Sequence, residues 1–229
     1  MLVAAAISLK APLEDAARQF AATSPGETIS FTFGSSGQLA AQIENGAPVD
    51  LFVSASPVEL DRLAIGERIE RGTRTTLAGN RLVIVVPRGE ALPADLASLT
   101  SPRFKRIAVG NPRTVPAGRY ARQSLVATGI ADQVESRLVY AENAVQIAAL
   151  VERGEADAAI LFATDAAAFG PTREIPETLH APILCEGAVV ADAVSGTRAE
   201  SFLKFLASPT GRTLFAEHGF VAPRSTAPR

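Results

Sequence analysis

Ser8, Ser35 and Ser36 are the side chains whose placement first suggests chemistry. Ser35 and Ser36 stand between two glycines in FGSSGQLAAQIENGA, residues 33–47, directly ahead of an apolar repeat with helical spacing. Ser8 follows the apolar run LVAAAI and precedes a second such repeat. Two further segments share the arrangement without a serine: Pro116-Ala117-Gly118 in NPRTVPAGRYARQSL, and Glu142-Asn143-Ala144 in YAENAVQIAALVE. A helix N-terminus carries about half a positive charge and up to four unpaired N–H donors. Small residues let an anion come close to that backbone, and a serine hydroxyl adds one more donor. Four such turns could replace the water shell of a small, fully ionised oxyanion without any lysine or arginine. A donor set with no carboxylate acceptor also rejects an oxyanion that keeps a proton, because that proton finds no partner. The plain alternative is that a serine such as Ser36 is an N-cap and nothing more.

Positioning these turns requires strands that end just before them and helices that start just after. Short apolar runs predict strands at Leu2–Ile7, Thr28–Phe33, Leu51–Ser54, Arg81–Val86, Arg106–Val109, Arg137–Tyr140, Ala158–Phe162 and Ala188–Val190. Continuous runs of this kind belong to parallel strands covered on both faces. Leu13, Ala16, Ala17 and Phe20 repeat at helical spacing after Pro12. Leu39, Ala40 and Ile43 do so before Gly46, and Ile147, Ala148, Leu150 and Val151 before Gly154. The alternation predicts an α/β fold with mainly parallel sheets flanked by helices. NRLVIVVPRGE, residues 80–90, reads as a strand leaving one lobe for another, and HAPILCEGAVVAD, residues 180–192, as the return. The expected lobes are residues 1–82 with 187–229, and residues 83–186, crossing near 80–86 and 182–190 with a ligand cleft between. RAESFLKFLASPTGRTLFAEHGF reads as one closing helix packed on the first lobe.

Composition excludes several classes. The chain has 229 residues, net charge −2 and no run of like charge, which argues against a nucleic-acid surface or a polybasic membrane patch. Its single cysteine, Cys185, rules out an intrachain disulfide and a cysteine-cluster metal site, and reads as a core residue. His180 and His218 lack neighbours at ligand spacing, so direct metal ligation by protein is not expected. No stretch reaches the roughly 18 apolar residues of a membrane span. MLVAAAIS lacks the basic n-region of a signal peptide and is too short for its apolar core, and reads as a buried strand.

A hydrolase would use Ser36 as nucleophile with His180 or His218 as base. GSSG is not the G-x-S-x-G elbow, no triad order is legible, and there is no Walker A or dinucleotide fingerprint. A transcriptional sensor on the same fold would need a helix-turn-helix segment, for which the chain leaves no room. Arg119 reads as a solvated helix residue at a cleft rim, and Asp50 and Asp165 as turn or cap residues, since carboxylates facing a dianion repel it.

AAAISLKAPLEDAARQF, FGSSGQLAAQIENGAPVDLFVSA, NPRTVPAGRYA, AENAVQIAALVERGEADAAILFATDA and FLKFLASPTGRTLFAEHGF together resemble the periplasmic molybdate-binding proteins of ABC importers, the ModA type, colinearly over about residues 3–221. SGQLAAQIENGAPVDLFVSA is the most specific of these segments. The resemblance implies a two-lobe, type II periplasmic-binding-protein fold that closes over one molybdate or tungstate. No cofactor or enzymatic activity is implied, and the molybdenum arrives as its oxyanion. It also implies an exported, monomeric protein whose targeting segment has been removed, with Met1 an added start, and a membrane permease as partner. Sulfate or phosphate is the alternative ligand within the same class. Carried over by position, Ser8 and Ser36 fall where the family uses serine hydroxyls and backbone N–H groups, and Ala117 and Ala144 where backbone N–H groups donate. Val145 is the neighbour one register away, and Ser35 the neighbour of Ser36. Where many members carry a tyrosine whose hydroxyl reaches the anion, this chain has Phe162, with Tyr120 and Thr164 as possible substitutes.

Overall fold

Apolar runs of four and five residues, LFVS and AAILF, are buried along their whole length, as strands covered by helices on both faces must be. The computed structural model describes residues 1–23 and 28–223. Its strands are β1 (Leu2–Ala6), β2 (Ser30–Gly34), β3 (Leu51–Ser54), β4 (Thr75–Gly79), β5 (Leu82–Val85), β6 (Ile107–Gly110), β7 (Leu138–Ala141), β8 (Ala158–Phe162), β9 (Arg173–Glu174) and β10 (Leu184–Val189). The α-helices are α1 (Lys10–Thr23), α2 (Ser36–Glu44), α3 (Pro57–Ile65), α4 (Pro116–Ala127), α5 (Ala131–Val134), α6 (Ala144–Glu152), α7 (Gly196–Ala207) and α8 (Pro209–Glu217).

The chain divides into two compact units, Met1–Gly79 with Leu184–Arg229, and Asn80–Ile183. Each boundary falls three residues before the expected one, because β5 pairs entirely within the second sheet and β10 entirely within the first. Among the described residues each unit holds one five-stranded sheet, ordered β2-β1-β3-β10-β4 in the first and β7-β6-β8-β5-β9 in the second. In the first, β1 runs parallel to β2 and β3, while β10 runs antiparallel to β3 and β4. In the second, β6 runs parallel to β7 and β8, while β5 runs antiparallel to β8 and β9. Four strands of each sheet therefore share a direction, and the reversed one is the strand that enters at a crossing. Apart from that strand, the two orders repeat the same 2-1-3-4 topology.

Helices cover both faces of the first sheet. Leu39, Ala40 and Ile43 of α2 and Leu60 and Leu63 of α3 pack with Ala4, Phe52 and Ala188 of the strands. Phe20 of α1 meets Phe202 of α7 edge-on at 5.3 Å, within a second apolar layer. In the second unit Ile147 and Val151 of α6 are buried, and Ala148 and Leu150 are half-buried.

Four elements depart from expectation. β4 and β9 were not anticipated, since TTLAG opens on half-buried threonines and β9 is two residues long. β10 starts earlier than expected because Glu186 is a strand residue despite its charge: it accepts from Arg74 Nε at 2.8 Å and from Thr76 Oγ1 at 3.0 Å. The closing helix is two helices. Pro209 begins α8 at a position needing no N–H, and Ser208 caps it by accepting from the Gly211 N–H at 3.3 Å.

Candidate functional site

In the first unit β1 and β2 pair up to Ala6 and Gly34, and Ser8 and Ser36 each lie two residues beyond that last pair. Both serines thus sit at the carboxyl ends of adjacent parallel strands, beside the point where strand order reverses between β1 and β3, where open α/β sheets bind ligands. Ser8 lies in a half-buried 3-10 turn, Ile7–Leu9, that runs directly into α1, so Pro12 is the third residue of that helix rather than its start. Ser36 is the first residue of α2 and fully buried. Its Oγ accepts from the Ala55 N–H at 3.2 Å, just past the end of β3. The Ser36 hydroxyl proton is still available to donate.

Ser35 occupies the N-cap position of α2 and is 3% exposed, yet its Oγ makes no capping bond and has no partner. Ser195 at the start of α7 also makes no capping bond, but its backbone (φ −106°, ψ 36°) is not extended, and three other cap residues do the usual work. Ser56 accepts from the Val58 N–H at the start of α3, Asn143 from the Gln146 N–H at α6, and Ser208 from the Gly211 N–H at α8. The Leu39 N–H begins the helical ladder on the Ser35 carbonyl at 3.0 Å, so the first turn of α2 has no side-chain cap ahead of it.

In the second unit the turn after β6 is set by two glycines. A Cβ on Gly118 would lie 2.0 Å from the Gly110 carbonyl oxygen, so only glycine lets α4 start this close to the strand end. Pro116 has no N–H, and the N-cap Val115 has no side-chain oxygen. The Gly118 and Arg119 N–H groups bond to the Val115 carbonyl at 3.0 and 3.2 Å. The N–H of buried Ala117 is the first donor of α4 and has no partner among the described residues. Just ahead, the Thr114 Oγ1 is shielded and unpartnered.

After β7, Asn143 Oδ1 accepts from the Gln146 N–H at 3.0 Å, and Gln146 Oε1 accepts from the Glu142 N–H at 3.0 Å. This reciprocal cap uses the third N–H of α6 and leaves those of Ala144 and Val145 ahead of it. Ala144 is 5% exposed and Val145 57%, so Ala144 offers the enclosed donor of the two. Phe162 ends β8 opposite Leu82 and is 2% exposed. Its ring centroid is 6.1 Å from that of Tyr120, one turn along α4 from Ala117. The Tyr120 hydroxyl donates to the Pro182 carbonyl at 3.4 Å, so it is already directed away as a substitute donor. Thr164 Oγ1 accepts from Asn80 Nδ2 at 3.0 Å and retains its proton.

The charged residues sort differently. Asp50 ties the unit together, accepting from the Leu2 N–H at 2.7 Å and the Ser195 N–H at 2.8 Å. Asp165 is no ordinary cap: its Oδ2 is shielded and unpartnered although the residue as a whole is half-buried, and burial pushes its carboxyl up to about 7. Arg119 is half-buried on α4 rather than fully solvated. His218 Nε2 pairs with Asp15 Oδ2 at 2.8 Å, not with a serine, and this bond holds the Asp15 carboxyl below its ordinary value. Cys185 is buried in β10. Among the described residues no group of three or more His, Cys, Asp or Glu could hold a metal ion, and no helix is long and apolar enough to cross a membrane.

The family model of bacterial extracellular solute-binding proteins matches residues 1–221. The chain belongs to that family. The bacterial extracellular solute-binding proteins are receptors for solutes, which makes this chain a binding protein rather than an enzyme. Relatives include the molybdate-binding protein ModA of Escherichia coli K12, 35% identical over 227 residues, covering 95% of this chain and 87% of that protein. ModA of Haemophilus influenzae is 32% identical over 227 residues, covering 96% and 89%. Among solved structures, the Azotobacter vinelandii periplasmic molybdate-binding protein superposes with a TM-score of 0.88 at 27% identity, covering 98% of this chain and 100% of that one.

The sequence pattern offered Ser36 as the cap, whereas Ser35 stands at that position, and it did not show that Gly110 and Gly118 touch. GSSG signals a helix start, but the bond that Ser36 accepts from Ala55 depends on the end of β3, a distant segment, and the serine at the cap position makes no capping bond. The glycine that ends IAVG and the one in VPAG were the available signal for the close approach.

Proposed function

We propose that this protein is the molybdate and tungstate receptor of an ABC importer, acting as a monomer in the periplasm and delivering its ligand to a membrane permease. Ser8 and Ser36 supply hydroxyl and backbone donors from the first unit, and Ala117 and Ala144 supply backbone N–H donors from the second. Phe162 contributes an apolar wall where the resemblance expects a tyrosine hydroxyl. The observation that carries this reading is the placement of Ser8 and fully buried Ser36, each two residues past the last pair of the adjacent parallel strands β1 and β2. The unpartnered Ala117 N–H supports it independently.

Neutral donors suit the task. A dianion receives its hydrogen bonds from N–H and O–H groups that are oriented before it arrives, so little reorganisation opposes binding. Without a carboxylate acceptor among them, a protonated oxyanion leaves one hydrogen unpaired and binds less well. Size then selects among fully ionised tetrahedral anions. Equilibrium dialysis against molybdate followed by elemental analysis tests the proposal. One molybdenum per chain is expected, and none would overturn it.

A further inference from the structure

We infer that Ser35, beside the serine that the resemblance assigns to the anion, is itself an anion-binding residue whose hydroxyl is held in reserve for the ligand. The inference rests on the oxyanion-receptor reading and extends it to a residue outside the inherited set.

Three facts about Ser35 are independent of that reading. It stands at the N-cap position of a nine-residue helix with extended backbone, φ −74° and ψ 143°, the geometry from which a serine normally accepts an N–H of the first turn. It is almost wholly buried, and its Oγ has no hydrogen-bond partner. Three other cap residues of the same protein, Ser56, Asn143 and Ser208, do make their capping bonds. A buried hydroxyl left without a partner is destabilising, and a local remedy lies within reach of one χ1 rotation, the capping bond itself. The structure forgoes that remedy at α2.

An arriving oxyanion explains both halves of the arrangement. If Ser35 accepted an N–H of the first turn, it would occupy a donor that the anion needs. With that bond unmade, Ser35 occupies none of those donors, and its hydroxyl proton is free to donate to the same ligand. Ser36 cannot play this part as fully, because one side of its hydroxyl already receives the Ala55 N–H. Ser35 is therefore the more adaptable donor of the pair, and its bond to the anion satisfies a group that has no partner in the ligand-free chain.

This makes a prediction of opposite signs. Titration calorimetry with molybdate is run on the wild-type protein, Ser35→Ala and Ser35→Gly, with thermal unfolding of each measured without ligand. Removing the hydroxyl weakens molybdate binding by roughly 10- to 100-fold, the worth of a hydrogen bond to a charged group. The same change leaves the ligand-free melting temperature unchanged or raises it in Ser35→Ala, because an unpartnered hydroxyl has been removed. Ser35→Gly, an acceptable N-cap, reads the affinity should alanine disturb the turn. Wild-type affinity in both variants overturns the inference and leaves the receptor reading standing. A lower melting temperature with unchanged affinity makes the hydroxyl structural and also overturns it. A wild-type protein that binds no molybdate overturns the receptor reading itself, and this inference with it.

Discussion

Ser36 Oγ accepts a hydrogen bond from the Ala55 N–H at 3.2 Å, which fastens the first residue of α2 to the end of β3. The serine is thus a brace that keeps its hydroxyl proton to donate. Ser36→Ala strands a buried N–H and removes a hydroxyl, so it lowers stability by about 1–3 kcal/mol. It also weakens molybdate binding by at least about tenfold, the smaller end of what one hydrogen bond to an anion is worth. Urea unfolding and titration calorimetry separate the two effects. Destabilisation with wild-type affinity would remove Ser36 from the site.

Phe162 ends β8 with its ring against Tyr120, whose hydroxyl is directed to Pro182. The position therefore offers no donor. Phe162→Tyr restores one, and tightens oxyanion binding by about tenfold or more if the hydroxyl reaches the anion. Unchanged or weaker binding by calorimetry would count against Phe162 lining the pocket.

Gly118 is fixed by the Gly110 carbonyl, which a Cβ would approach to 2.0 Å. Both partners are backbone, so no side chain can yield. Gly118→Ala forces α4 off the end of β6, costs on the order of 2 kcal/mol or more in stability, and displaces the Ala117 N–H. Molybdate affinity falls together with the melting temperature. A variant with the stability and affinity of the wild type would show that α4 does not need this close approach.

Asp165 carries a carboxyl raised to about 7 by burial, so the folded chain holds a proton there that the unfolded chain has already released near pH 4. The folded state binds more protons across that interval, and stability falls as pH rises through it, by about 1.4 kcal/mol per pH unit at the steepest. Below pH 4 both states are protonated and the group is neutral in its effect. Asp165→Asn removes this dependence, so denaturant midpoints measured between pH 4 and 7 flatten relative to wild type. Parallel profiles for the two proteins would mean that the carboxyl titrates normally.

Much of this architecture was legible in short apolar runs. β3 and β8 match their predicted spans residue for residue, because continuous burial leaves an unbroken hydrophobic signal. β4 escaped notice because its threonines are only half-buried. β10 was cut short because the charge of Glu186 is neutralised by Arg74, 112 residues away in sequence, a pairing no local pattern can reveal. The split between α7 and α8 was readable in Ser208-Pro209, a cap followed by a first-turn proline, but the apolar repeat on both sides masked it. That Ser8, Ser36, Ala117 and Ala144 stand where a strand gives way to a helix was legible, because strand ends and small helix openers are local features. What each donor already holds was not, since the partners of Ser36 and Tyr120 come from other parts of the chain.

On the proposed reading, neutral donors at these turns select a fully ionised tetrahedral anion by size. Isothermal titration with molybdate, tungstate, sulfate and phosphate, run side by side on the purified protein, tests it most directly. The account predicts tight one-to-one binding of molybdate and tungstate, with sulfate and phosphate silent. Silence toward all four, or a preference for phosphate, would contradict it.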